Sequence, residues 1–310
     1  MRIGTVLTTL PKPLDEMIAM IAGAEEQGFT SVWLANTSAN DALTVLALAG
    51  RATSRIELGT GVVPTYPRHP VALAQQALTV QVATGGRLAL GIGLSHRTMI
   101  EDRLGLDYSR PVPHMREYLT VLDGLLAGEA VEFRGEEYRV SSQLSIPGST
   151  RPPVVVAALG PAMLKLTGRL ADGTITWMGG IDYLRDVAVP ILTEAARKAG
   201  RPAPRVVAEM PVCVTEEVEA ARTQADWIFR NYGQIPSYRA TLDRGGANGA
   251  GDVAVVGAEA AIESQLDELA RIGVTDFIVS PFALRGGNMD RTMEFMADLA
   301  RRQAGSAMNR

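Results

Sequence analysis

Short blocks rich in apolar and β-branched residues alternate along this chain with longer stretches of mixed character. The blocks Ile3–Leu7, Ser31–Ala35, Ile56–Val62, Leu88–Gly93, Val154–Ala158, Gly173–Trp177, Val206–Val214 and Asp276–Ser280 have strand length. Their near-continuous hydrophobicity suits strands of a parallel sheet buried on both faces. Between them the pattern predicts helices over about Leu14–Gln27, Asp41–Ala52, Val71–Ala83, Ala162–Leu170, Tyr183–Ala199, Glu216–Asn231, Ala258–Ile272 and Met289–Arg302. Gly28 reads as the stop of the first helix. Asn40 reads as the cap of the second, and Pro70 and Gly85-Gly86 bracket the third. Eight strand-then-helix units in a chain of 310 residues predict an α/β fold, a closed (β/α)8 TIM barrel. An open doubly wound sheet is the alternative. It calls for Gly-x-Gly-x-x-Gly after the first strand, where this chain has Leu7-Thr-Thr-Leu-Pro11.

The alternation is interrupted twice. After the fourth strand, Leu94–Pro153 forms an insertion with a helix over about His114–Ala127 and a hairpin, Ala130–Val140, turning at Gly135. After the seventh strand comes a polar, glycine-rich loop, Asp243–Asp252. Loops that follow the C-terminal ends of barrel strands build the site face, so residues 95–153 are expected over the site. One domain over residues 1–303 is expected, with a frayed tail at 304–310.

Bulk properties narrow the function classes. A formal charge of −4 argues against nucleic acid as a partner. The single cysteine, Cys213, lies in the apolar run Met210–Val214 and leaves no disulfide framework or multi-cysteine zinc site. The chain enters its first strand at once, which reads as no export signal, and no apolar run has membrane-spanning length. A cytoplasmic protein with a small-molecule partner, and neither membrane nor nucleic acid, is expected.

Residues with chemistry gather after the predicted strands: Trp33, Asn36 and Thr37; Thr65, Tyr66, Arg68 and His69; Ser95, His96 and Arg97; Trp177; Glu209. Gly61 and Gly93 let backbone approach a flat or charged ligand. His69, His96 and His114 show no His-x-His or His-x-x-x-His pairing, and no metal is expected. His96 directly follows its strand and reads either as a proton-transfer group or as a loop histidine bonded to backbone. The turn Ala157-Ala-Leu-Gly-Pro161 opens a helix and reads either as a phosphate cradle or as a tight connection. Arg68, Arg97 and Arg103 either meet an anionic ligand or are solvated, and Asp15, Glu16, Glu25 and Glu26 read as solvated helix charge.

Taken together, several of these segments resemble the bacterial luciferase-like superfamily, and within it the oxidoreductases that use the deazaflavin coenzyme F420. The resemblance covers nearly the whole chain. It rests on Ala24–Trp33, Leu58-Gly-Thr-Gly-Val62, Gly86-Arg-Leu-Ala-Leu-Gly-Ile-Gly93, the hairpin Gly128–Val140, Ala157–Pro161 with Ala171-Asp-Gly173, and Val256-Gly257 with Gly273–Phe277. It implies one flavin-like cofactor in the barrel mouth and a homodimer. It also implies a non-proline cis peptide at Gly61-Val62, ring contacts at Leu94, Ser95 and His96, and cofactor-phosphate contacts at Leu159, Gly160, Trp177, Met178 and Gly179. Substrate contacts would fall to Trp33, Asn36, Thr37, Tyr66, Arg68 and Arg97.

The chain departs from the family pattern at two points. Asn36-Thr37 stands where family dehydrogenases often carry Asp-His, and His96 stands where sugar-phosphate members place a carboxylate. These departures disfavour a sugar-phosphate or alcohol dehydrogenase. They leave a reductase that passes hydride from reduced deazaflavin to a C=C, C=N or C=O, with His96 or water supplying the proton. The alternatives are an FMN-dependent monooxygenase fed by a separate reductase, and a non-catalytic flavin-binding barrel.

Overall fold

The computed structural model describes residues 1–7 and 11–308. Residues 8–10 of the loop after the first strand, and 309–310 of the expected tail, lie outside the described residues. The eight barrel strands are β1 Arg2–Val6, β2 Ser31–Leu34, β3 Glu57–Thr60, β4 Leu88–Gly93, β5 Val154–Ala157, β6 Gly173–Trp177, β7 Arg205–Val214 and β8 Asp276–Pro281. Each pairs in parallel with its neighbours, and β8 returns to β1 through Arg2 opposite Asp276 and Thr5 opposite Val279. This closure confirms the expected TIM barrel.

Strand alternation sorts the side chains into two cores. Trp33, Ala89, Val155, Ile175, Val207 and Ile278 point inward and form a small apolar layer inside the barrel. Side chains on the opposite strand face join the main core beneath the helices α1 Leu14–Gln27, α2 Ala42–Ala52, α3 Pro70–Ala83, α4 Pro111–Leu126, α5 Pro161–Leu170, α6 Val189–Lys198, α7 Val218–Ile228, α8 Pro236–Arg244, α9 Glu259–Arg271 and α10 Asp290–Met308. Among the described residues, no helix is long and apolar enough to cross a membrane.

Several local expectations are corrected. Asp41, not Asn40, caps α2, because its carboxylate accepts from the Thr44 amide at 2.9 Å. Asn40 instead donates to the Lys12 carbonyl. The helix expected from Tyr183 begins as a short turn at Ile181–Tyr183 and passes through a π-helical turn, Leu184–Ala188, before α6. Pro190 explains the widening, since it offers no amide to the carbonyl four residues earlier. The segment after β7 holds α7, α8 and a short helix, Ala250–Val253, rather than one long helix and a loop. Helix α10 runs through Met308, so residues 304–308 are helical.

Glu25 was expected to be solvated, but it is a clamp. Its carboxylate accepts from the backbone amides of Ser54, Arg55 and Ile56 and fixes the entry of β3. Although burial pushes its pKa up, these amides hold it down at about 2. Glu117 on α4 does the same for the hairpin Val131–Arg134/Arg139–Ser142, accepting from the amides of Glu136, Glu137 and Tyr138.

Candidate active site

The barrel mouth is open beside β4 and β5 because the upper inward positions of those strands are small. One layer above Ala89 and Val155, strand alternation places Gly91 and Ala157, with Gly93 above them at the end of β4. The same step above Ile175 and Val207 places Trp177 and Glu209, which are register partners on β6 and β7. A cleft of about 230 Å³ results. Its lining draws Gly61 and Val62 from the β3 end, Leu94 and Ser95 from the β4 end, and Leu159, Gly160 and Met163 from the start of α5.

The wall beside β3 is a bulge. The β3–β4 ladder breaks after Thr60, the Gly61-Val62 peptide is cis as expected, and pairing resumes with Val63 and Pro64 opposite Ile92 and Gly93. The Thr60 hydroxyl fills the break, donating to the Gly91 carbonyl at 2.7 Å and accepting from the Gly91 amide at 2.8 Å. A Cβ at Gly91 would lie 1.8 Å from the Thr60 carbonyl oxygen, which requires glycine there. At the end of β4, beside the bulge, Ser95 (φ 61°), and at the end of β6 Met178 (φ 60°), are non-glycine residues in the left-handed region. Such backbone persists where its surroundings impose it and is concentrated at ligand clamps.

One end of the cleft is suited to an anion. Gly160 precedes α5, Pro161 occupies its first turn, and no side chain caps that helix. The start of this helix borders the cleft through Leu159, Gly160 and Met163, which leaves its uncapped first turn beside that space. The opposite wall is aromatic and comes from the segment after β7. Trp177 meets Tyr232 edge-on with ring centroids 5.6 Å apart, and Tyr232 meets Tyr238 at 5.1 Å and 89°. Tyr238 and Ser237 line the cleft, as does Tyr108 from the 95–153 insertion. Sequence reasoning missed Ser237 and Tyr238. Their signal was the aromatic, Gly/Pro-punctuated run Trp227–Tyr238, of which only the part up to Asn231 is assigned from the sequence, as the end of a helix. The hairpin of the 95–153 insertion contributes nothing to the lining.

Among the described residues Glu209 is the one carboxyl of the cleft lining, and no lysine or arginine accompanies it there. No side-chain hydrogen bond to it forms among the described residues. Burial pushes its pKa up to about 8, so it is mostly protonated at neutral pH.

Of the residues expected at the cofactor, the cleft brings together Gly61, Val62, Leu94, Ser95, Leu159, Gly160 and Trp177. Met178 lies beneath it, buried against Leu242 and Val253, and Gly179 packs near Tyr183 and Thr176. His96 stands at the rim outside the lining, its ring 5.6 Å from that of Tyr238. Burial lowers its pKa, so the imidazole is neutral at pH 7.

The expected substrate residues lie elsewhere. Trp33 is fully buried inside the barrel, donating to the Ser31 hydroxyl beside Gly59, where a Cβ would clash with its ring. Asn36 accepts from the Ala42 amide at the start of α2, and Thr37 is exposed away from the cleft. Tyr66 stacks on His114 at 3.9 Å and on Tyr108 at 5.1 Å. Arg68 pairs with Asp41, and exposed Arg97 pairs with Glu101 over the Tyr108 ring. The remaining two histidines are structural. His69 accepts from the Val71 amide at the start of α3, and His114 bonds the Thr65 hydroxyl at 2.9 Å.

Comparison with known proteins adds to this picture. Residues 1–304 match the family described as luciferase-like monooxygenase. The 5,10-methylenetetrahydromethanopterin reductase of Methanolobus tindarius is 28% identical over 273 residues, covering 82% of this chain and 81% of its own length. The F420-dependent glucose-6-phosphate dehydrogenase of Nakamurella multipartita is 31% identical over 230 residues, 69% of this chain and 68% of its own. The structure of the coenzyme F420-dependent tetrahydromethanopterin reductase from Methanopyrus kandleri superposes with a TM-score of 0.75. That match spans 96% of this chain and 98% of that one at 22% identity, a likeness of fold.

Proposed function

The chain belongs to the luciferase-like monooxygenase family, and on that premise we propose that it is a coenzyme F420-dependent oxidoreductase, acting as a reductase on a small organic acceptor. The observation that carries this reading is the 31% identity to an enzyme named as F420-dependent over more than two thirds of the chain. The cleft supports it. A flat polycyclic ring with a phosphate-bearing tail needs apolar walls that approach from two sides and an anion site at one end. Val62, Leu94, Ala157, Ile175 and Trp177 offer the apolar lining, and the uncapped start of α5 offers the anion site.

When bound, the reduced deazaflavin supplies a hydride at its C5. Leu159, Gly160 and the first amides of α5 hold the phosphate, and the Gly61-Val62 bulge backs the ring. Trp177 and Tyr238 keep water from the inner cleft, which strengthens the electrostatics within it. The reduced acceptor also takes up a proton, which water supplies directly or by way of His96 at the rim, whose neutral ring can accept a proton on one nitrogen as it gives one from the other. Asn36 and Thr37 lie outside the cleft, so the position where family dehydrogenases often carry Asp-His supplies no acid/base pair here, which supports reduction of an unsaturated acceptor.

A fluorescence titration with coenzyme F420 and, in parallel, with FMN tests the proposal. Tighter binding of F420 is expected, followed by turnover of its reduced form with acceptors. Preference for FMN would move the protein to oxygen-dependent chemistry with a separate reductase. Binding of neither would overturn the reading.

A further inference from the structure

The cleft floor holds a carboxyl that the reading above does not use. Glu209 sits one inward step above Val207, between Trp177 on β6 and its β8 register partner Ile278. The groups packed around it are aromatic or neutral: Trp177, Tyr232 from the turn after α7, and Ser237 and Tyr238 from α8. Tyr232 and Tyr238 are themselves pushed up by burial and remain protonated phenols at neutral pH. Across the cleft stand Ser95 and Tyr108, with neutral His96 beyond Tyr238.

Among the described residues, no cation compensates Glu209 from any of these elements. A carboxylate left unpaired in such surroundings is costly, and the group responds by holding its proton. A protonated carboxyl has an O–H donor beside a C=O acceptor. That donor–acceptor pair complements a cyclic amide or imide edge, which presents an N–H beside a C=O. The apolar walls above it accept the body of a planar ring, and the α5 anion site accepts the tail.

We propose that Glu209, in its neutral acid form, binds the imide edge of the cofactor's ring and fixes how deeply that ring enters the barrel. This rests on the cleft being a flavin or deazaflavin site, but not on which of the two binds. Glu209 is a cofactor-binding residue here, and the affinity it contributes depends on its proton. Below about pH 8 the acid is present and binding is full. As pH rises through that value, the carboxylate loses its donor and meets a carbonyl with like polarity, so binding weakens.

The test measures dissociation constants of F420 and FMN for wild type, Glu209→Gln and Glu209→Ala, at pH about 6 and about 10, either side of the titration. Glutamine keeps a donor beside an acceptor but cannot ionise, and the ratio of wild-type to Gln affinity cancels any titration of the ligand itself. The expected result is near-equal affinity of wild type and Gln at the lower pH, with Ala about tenfold weaker, the loss of roughly one to two hydrogen bonds. At the higher pH wild type is expected to fall about tenfold behind Gln. A ratio that does not move with pH overturns the proposal and leaves the functional reading standing. Failure of wild type to bind either cofactor overturns both. Should the variants misfold, difference infrared spectra of wild type decide: a protonated-carboxyl band that shifts on ring binding supports the proposal, and an unshifted one refutes it.

Discussion

His69, His96 and His114 follow neighbouring strands, yet each meets a different partner: a helix amide, a tyrosine ring and a threonine hydroxyl. Residue type and strand position were enough to bring all three into consideration. Separating them required knowing where each ring points, which depends on tertiary neighbours. Only His96 remains at the rim of the cleft, so His96→Ala is expected to lower turnover by about 10²-fold, the scale of a lost acid–base group. Affinity for the cofactor should stay within about twofold, because the ring lies outside the lining. Steady-state kinetics together with the fluorescence titration check this, and unchanged turnover would remove His96 from the reaction. Glu25 and Glu209 show the same limit in the opposite sense. In the sequence one looks like surface charge and the other like a strand-end carboxylate. The structure gives one three amides and the other none, and their pKa values diverge to about 2 and about 8.

Strands and helices were largely legible because their hydrophobic periods are intact, and the elements that differ have identifiable causes. The π-helical turn before α6 follows from Pro190, and the β3 bulge depends on a side chain standing in for backbone. The aromatic segment after β7 could not be assigned to the mouth from the sequence, because its role comes from folding back over Trp177. The bulge makes a prediction at this scale. Thr60 is fully buried, and its hydroxyl satisfies both the amide and the carbonyl of Gly91. Thr60→Val keeps the shape and removes the hydroxyl, leaving two buried backbone groups unpaired. A loss of about 2–4 kcal/mol in unfolding free energy is expected. Denaturant unfolding measures it, and the cleft wall at Gly61 and Val62 should loosen with it, weakening cofactor binding. Thr60→Ser should restore most of both. A valine variant with wild-type stability would show that Gly91 does not depend on this hydroxyl.

At the scale of the whole molecule the two ends of the barrel do different work. The mouth keeps the upper inward positions of β4 and β5 small and, among the described residues, leaves Glu209 without a cation. The base is closed by charge. Arg205 bonds Asp276 through two nitrogens, at 2.9 and 2.8 Å, and reaches Glu57 as well, while Arg2 joins both acids. The Arg205 guanidinium also lies 5.3 Å from the Trp33 ring centre, so the ion cluster and the buried tryptophan close the barrel together. This network ties the first residues of β1, β3, β7 and β8, four strands distant in sequence. Asp276 is 1% exposed and Arg205 13%, so removing the acid strands a largely buried guanidinium. Asp276→Ala is therefore expected to cost about 3 kcal/mol, at the lower end of the range for a broken buried pair because Glu57 still engages Arg205. The site lies at the opposite end of the strands. Below the lowered melting temperature, the variant should bind the cofactor with wild-type affinity and turn over at the wild-type rate. Calorimetry and the fluorescence titration on the same preparation separate the two effects. If affinity falls along with stability, the base and the mouth are coupled through the strands, and the inner layer of Trp33, Ile175 and Val207 is the path that would carry the coupling.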